Sequence, residues 1–177
     1  MALNEEEKKE LVVLLDKIEN KEIRGSVWHS LVKKFITVPI ELCIFDEQNR
    51  ILLVYRKDSE FDGYHMPGSV VNDWETVEEA KERLIREEIT IPLGIEISEV
   101  EAIGWLDSPK DSWPGEPSTR HGILLLHVAR YKGIFIPKEG TNFFALSELP
   151  DNTLGCHRFI IPFFERYLKT GQIVLGK

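Results

Sequence analysis

The run HGILLLHVARY, residues 121–131, constrains the fold more than any other part of the chain. It is apolar at nearly every position, which predicts a strand buried on both faces. A sheet holding such a strand needs a layer of structure on each side. Other runs supply further strands: ITVPIELCIF and NRILLVYRK, parted by the turn-like DEQN, read as a hairpin, EVEAIGWLD as a strand and FFAL as a short one. Helical spacing supplies the covering layers. Leu11, Leu14, Leu15 and Ile18 share one stripe, and Val27, Trp28, Leu31 and Val32 resume it after a break, so residues 4–34 predict two amphipathic helices or one kinked helix. Thr76 with Glu79 forms a capping box that opens a second helical region, ending near Ile89 before the stop signal IPLG. FIIPFFERYLKTG predicts a C-terminal helix with Pro162 in its first turn. FDGYHMPGS reads as a loop, and 108–120, rich in Pro and polar residues, as a longer one. The predicted class is α+β, a mixed sheet sandwiched by helices, with residues 1–35 as a helical extension and 36–177 as the main domain.

Charge and cysteine content narrow the function. At 177 residues the chain has room for a single core, and its net charge of −8 argues against a nucleic-acid-binding surface. A small anionic substrate remains compatible, because a divalent cation can reverse the local sign. Cys43 and Cys156 are too few for a zinc site or a disulfide scaffold and read as buried thiols in a reducing compartment. The N-terminus MALNEEEKKE has neither a basic nor an apolar signal region, and no apolar run approaches the ~20 residues of a membrane span. The expectation is a cytoplasmic protein without a membrane partner. The apolar stripes of the N-terminal helices need cover and leave a homodimer contact open.

The chemistry concentrates in PGSVVNDWETVEEAKERLIREEI, from Pro67 to Ile89. Helix positions three and four apart share a face, so Leu84, Glu87 and Glu88 fall in one wedge, with Arg83 beside it. A solvated charge run is one reading, its ion pairs each worth only ~0.3 kcal/mol. Three features point to a cation instead. A Pro-Gly pair before the helix can bring backbone close to an ion. Glu75 adds a loop carboxylate. Glu87 and Glu88 stand near the helix C-terminus, where the macrodipole disfavours negative charge unless a cation compensates. Such oxygen donors suit Mg²⁺ or Mn²⁺ bound to substrate phosphates.

This stretch resembles the signature of the Nudix hydrolases, G-x5-E-x7-R-E-U-x-E-E-x-G-U with U aliphatic. Gly68, Glu75, Arg83, Ile85, Glu87, Glu88 and Ile91 match in kind, and the likeness extends over about 37–168. It implies a Nudix-type α/β/α sandwich. The departures are a glycine-to-glutamate spacing one residue longer, Leu84 in place of a glutamate and Thr90 in place of a glycine. Long spacing with Arg-Leu resembles the GDP-mannose mannosyl hydrolase branch. That likeness implies Glu88 and the Gly68 carbonyl as metal ligands, with Arg56 near a diphosphate and Glu41 where the branch has an aspartate. The branch's histidine, preceded by glutamine, would fall at Gly140 and Thr141, neither of which is a general base. PKEGTNFFALSEL instead resembles a loop of the nucleoside-triphosphate pyrophosphohydrolases, implying Glu139 as metal ligand or base.

Further candidates surround this region. His65, just before Met66-Pro67-Gly68, could contact phosphate or serve the structure. Trp113 suits stacking on a base or sugar. His121 opens a strand and reads as a structural bond to the sheet edge. His157, beside Cys156, has no spacing that supports a Cys-His nucleophile, and Trp74 is expected to pack on Tyr64. The sequence thus predicts a hydrolase using Mg²⁺ or Mn²⁺ on a nucleoside diphosphate linked to another moiety. Glu88, Glu87 and Glu139 serve the metal, Arg83 orients Glu87, and Arg56, Glu41, His65 and Trp113 meet substrate. The alternative is a Nudix-type ligand-binding or regulatory domain that no longer turns over.

Overall fold

The computed structural model describes residues 3–17, 30–31, 33–58, 61–108, 121–133, 135 and 140–176. The chain divides into two units, 1–35 and 36–177.

In the first unit, α1 spans Glu5–Lys17. Asn4 starts it: its Oδ1 accepts from the N–H groups of Glu6 and Glu7, each at 2.9 Å, while Glu7 returns a carboxylate to the Asn4 N–H at 2.7 Å. This reciprocal cap satisfies donors that the first helical turn leaves free. Leu11, Leu14 and Leu15 line up as the spacing predicts, yet all three are exposed. Ile18, Val27, Trp28 and Val32, which carried the remaining helical pattern, lie outside the described residues.

The second unit is built on β2 (Pro39–Phe45), β3 (Ile51–Lys57), β7 (Glu101–Ser108) and β8 (His121–Lys132). Short strands add to them: β1 (Ile36–Thr37), β4 (Asp62–His65), β5 (Gly68–Val70), β6 (Glu96–Ile97), β9 (Thr141–Phe144) and β10 (Val174–Leu175). The main path runs β10-β7-β8-β2-β3-β4. β8 pairs parallel with β2 and antiparallel with β7, so the sheet is mixed.

Alternation along the strands distributes side chains to two cores. Ile40, Leu42 and Ile44 of β2 pack with Leu52, Ala80, Leu84 and Ile89 on one face. Cys43 and Phe45 pack with Leu53, Leu126, Ile160, Ile161 and Phe164 on the other. Helix α2 (Val77–Leu84) covers the first face, together with a π turn (Ile85–Thr90) and the short α3 (Ile91–Leu93); α4 (Gly155–Thr170) covers the second. The α/β/α sandwich is the predicted α+β architecture.

Several boundaries differ from expectation for identifiable reasons. FDGYHMPGS is not one loop but holds β4, which pairs with the preceding β3, and the start of β5, which pairs with β2; both are too short to show a period. The acidic helix continues past Ile89 to Leu93 and stops at Gly94, whose φ of 64° is left-handed. Pro162 is inside α4, not in its first turn, because that helix begins at Gly155. Cys43 and Cys156 are both free thiols, Cys43 buried and Cys156 half-buried. Trp74 is 60% exposed, and the ring partners of Tyr64 are Tyr55 and Phe144. No described helix is long and apolar enough to cross a membrane.

Candidate active site

The acidic stretch separates into two attachments between the helix and the loop before it. Arg83 forms the first. Its Nε and Nη2 reach the two carboxylate oxygens of Glu75 at 2.6 and 2.8 Å, while Nη1 donates to Ser69 Oγ at 2.8 Å and Nη2 to the Val70 carbonyl at 3.0 Å. Glu75 also accepts from the backbone and side chain of Asn72. The Arg83 guanidinium is the main reason the Glu75 carboxyl is held below its ordinary pKa. Arg83 therefore clamps the loop onto the helix. It bonds Glu75 rather than Glu87, contrary to the expected orienting role, and Glu87 is half-exposed with Arg86 Nη2 at 3.0 Å.

The second attachment lies one turn further on. The capping box at Thr76 and Glu79 sets where α2 starts. The π turn then closes a hydrogen bond five residues back, from the Ile91 N–H to the Arg86 carbonyl. Residues five apart share a face in such a turn, and Leu84 and Ile89, 1% and 0% exposed, both enter the core. Leu84 is thus not a gap in an acid face but a core residue, which corrects the single-wedge expectation. Glu88 is left at the margin of the core, its Oε2 accepting from the Gly68 N–H at 3.3 Å. Here the N–H of Gly68 meets the carboxylate, whereas the sequence expectation concerned its carbonyl.

Strand register brings Glu41 to the same place, paired with Gly68 across β2 and β5. A Cβ on Gly68 would stand 2.9 Å from Glu41 Oε2 and 3.0 Å from the Ile40 carbonyl, so this position admits no side chain without displacement. Glu41 Oε2 is buried without a hydrogen-bond partner. Its neighbour is His157 Nε2 at 3.2 Å, within contact distance but not aligned to hydrogen-bond. Burial, opposed by the Gly68 N–H and reinforced by Glu41, pushes the Glu88 carboxyl up to about 7. A second carboxylate so close disfavours charge on Glu88.

Two imidazoles complete the cluster. His157 Nδ1 accepts from the Met66 N–H and His65 Nδ1 meets the Met66 carbonyl, both at 2.8 Å. A carbonyl only accepts, so His65 carries its proton on Nδ1 and leaves Nε2 bare when neutral. Burial, with His157 nearby, lowers the His65 pKa to about 4. Arg56 on β3 is paired with Asp58, and its charge acts on both Glu88 and His65. His121 meets Asp107 at 2.8 Å, in keeping with a structural role. Glu139 and Trp113 lie outside the described residues. The sequence reading passed over His157 as a site residue. The available signal was a histidine three and four positions before the buried Ile160 and Ile161 of its helix.

The donor chemistry fits a hard cation: two carboxylates, one with an orphaned buried oxygen, beside a glycine that leaves room. Among the described residues no group of three or more His, Cys, Asp or Glu is placed to hold a metal.

Fold and site together define an α/β/α protein with a carboxylate cluster at the join of loop and helix. The NUDIX domain model matches residues 37–164, and the chain belongs to the Nudix family. The fold is similar to that of a UDP-X diphosphatase, at 17% identity and a TM-score of 0.58 over 97% of this chain and 85% of that one. It is also similar to an ADP-ribose pyrophosphatase from Streptococcus suis 89-1591, at 18% identity and a TM-score of 0.52 over 80% and 98%. A MutT NUDIX hydrolase from Burkholderia pseudomallei gives 24% identity and a TM-score of 0.52 over 73% and 98%. No curated protein matches the sequence significantly.

Proposed function

We propose that the protein is a Mg²⁺- or Mn²⁺-dependent hydrolase of a nucleoside diphosphate linked to another moiety, such as a nucleotide sugar. The observation that carries this reading is the crowding of Glu41 and Glu88 around Gly68, with an orphaned oxygen and a raised carboxyl pKa. Two names among the similar folds, ADP-ribose pyrophosphatase and UDP-X diphosphatase, support the substrate class. The net charge of −8 supports a small-molecule partner in place of nucleic acid, and the two free thiols support a cytoplasmic setting.

In this reading Glu88 and Glu41 hold the cation, with Glu139 and the Gly68 carbonyl as further donors and Glu87 at the rim. The ion, when bound, supplies Lewis acidity toward a diphosphate oxygen and activates water. Arg56 offsets charge on the diphosphate. His65, neutral at pH 7, offers its bare Nε2 to a water or substrate hydroxyl. Arg83 serves by holding the loop in register, and Trp113 provides a stacking surface. Attack at phosphorus is favoured over attack at a sugar carbon. Gly140 and Thr141 carry no side chain that acts as a base at neutral pH, so neither supplies the base that the mannosyl branch places there.

A second reading, a ligand-binding domain that no longer turns over, is favoured by one observation: the expected acid is Leu84, and that leucine completes the core. A product-resolved screen separates the two. Protein with Mg²⁺ or Mn²⁺ is incubated with nucleoside triphosphates, dinucleoside polyphosphates, ADP-ribose, NADH and nucleotide sugars, beside Glu88→Gln. Phosphomonoester products that disappear in the variant support the hydrolase. Absence of turnover with either metal, while a panel compound still raises the melting temperature, supports the binding domain.

A further inference from the structure

We propose that His157 is a positioning residue that fixes the Glu41 carboxylate against Gly68, an assignment that deepens the cation-site reading above and rests on it. His157 is 5% exposed on the core-facing side of α4, across the sheet from the acidic helix. It is the point at which this second helix layer reaches the carboxylate cluster.

The geometry assigns its two nitrogens separate tasks. The Met66 N–H can only donate, so Nδ1, at 2.8 Å, is the unprotonated nitrogen and the ring proton sits on Nε2. Nε2 faces Glu41 Oε2 at 3.2 Å, the carboxylate oxygen that otherwise has no partner. The β2–β5 register sets Glu41 beside Gly68, the missing Gly68 side chain leaves room for its carboxylate, and the imidazole edge stands on the remaining side. The same peptide, Met66, also accepts from His65, whose ring lies 6.2 Å from that of His157 at an interplanar angle of 30°. One backbone unit thus orients both rings. A small rotation of the His157 ring would convert its close approach to Glu41 into a bond aligned along N–H···O, the geometry in which a second-shell imidazole fixes a ligand.

Two substitutions separate the tasks. Asparagine places an acceptor near the position of Nδ1 but cannot reach Glu41. Glutamine extends an amide near Nε2 but leaves the Met66 N–H unmatched. Full-length His157→Asn and His157→Gln are compared with wild type in three measurements: the ¹³C resonance of the Glu41 carboxyl in EDTA, Mn²⁺ affinity by calorimetry and the melting temperature.

The expected result is a displaced Glu41 resonance in His157→Asn, with Mn²⁺ bound about tenfold more weakly and a melting temperature close to wild type. His157→Gln keeps the Glu41 resonance and Mn²⁺ affinity while melting lower. The reverse pattern, or an unmoved Glu41 resonance in His157→Asn, overturns the assignment and leaves His157 as a support for the Met66 backbone alone. The NMR arm needs no metal. If wild type neither binds Mn²⁺ nor hydrolyses any panel compound, the hydrolase reading fails, and the Glu41 resonance still decides the role of His157.

Discussion

The same loop and helix are joined twice, and the two joints differ in electrostatic completeness. At Arg83 a cation meets a carboxylate in a forked pair, and two further N–H groups meet Ser69 and Val70. At Glu88 a carboxylate meets one backbone N–H, with a second carboxylate close by and one of that group's oxygens unpartnered. The first joint is satisfied and stabilises the loop. The second crowds two carboxylates and leaves one oxygen unpartnered, a condition that costs folding energy and recurs where ligands bind. On the proposed function, the difference separates residues that build the site from those that act in it.

The largest test of this division is Leu84→Glu, which restores the acid of the family signature. Because Leu84 is 1% exposed in the core beneath the helix, the change buries a charge in an apolar site, with an expected loss of about 4 kcal/mol or more by urea denaturation. Tighter Mg²⁺ binding without loss of stability would show that the position belongs to the acid joint after all. Next, Arg83→Met leaves Glu75 half-buried without its partner and is expected to lower stability by roughly 3 kcal/mol. Its stability should also lose part of the normal decline at low pH, since the lowered Glu75 pKa contributes stability above its ordinary range and loses it on acidification.

Glu88→Gln acts in the opposite sense. The Glu88 carboxyl is raised from 4.5 to about 7, so without metal its contribution is fully favourable below 4.5 and is lost as pH rises toward 7. In EDTA the variant is expected to be the more stable protein at pH 8, by up to roughly 3 kcal/mol, and to match wild type at pH 4. Equal stability at both pH values would mean the second joint carries no such strain. The smallest effect belongs to Trp74→Ala in the intervening loop, expected within about 0.5 kcal/mol because the ring is exposed at 60%.

These contrasts also show what the sequence could reveal. The capping box at Thr76 and the strand at 121–131 were legible because each depends on neighbours in the chain or on continuous burial. The pairing of Arg83 with Glu75 was not, because it requires the loop to fold back over eight residues. Leu84 was misplaced because helical spacing assumes α geometry, and the π turn at Ile85–Thr90 changes which residues share a face. Glu41 could be aligned with a family position, but its contact with His157 depends on packing between a strand and the last helix. Short strands such as β4 and β5 owe their existence to partners elsewhere in the sheet.

The central proposal is that Glu88 is a ligand for a divalent cation. The most direct test follows its carboxyl ¹³C resonance through a pH titration, first in EDTA and then with saturating Mg²⁺. The account predicts a midpoint near 7 without the ion, as burial and Glu41 require, falling below about 5 when Mg²⁺ is present. A midpoint that stays in place on adding Mg²⁺ would contradict it.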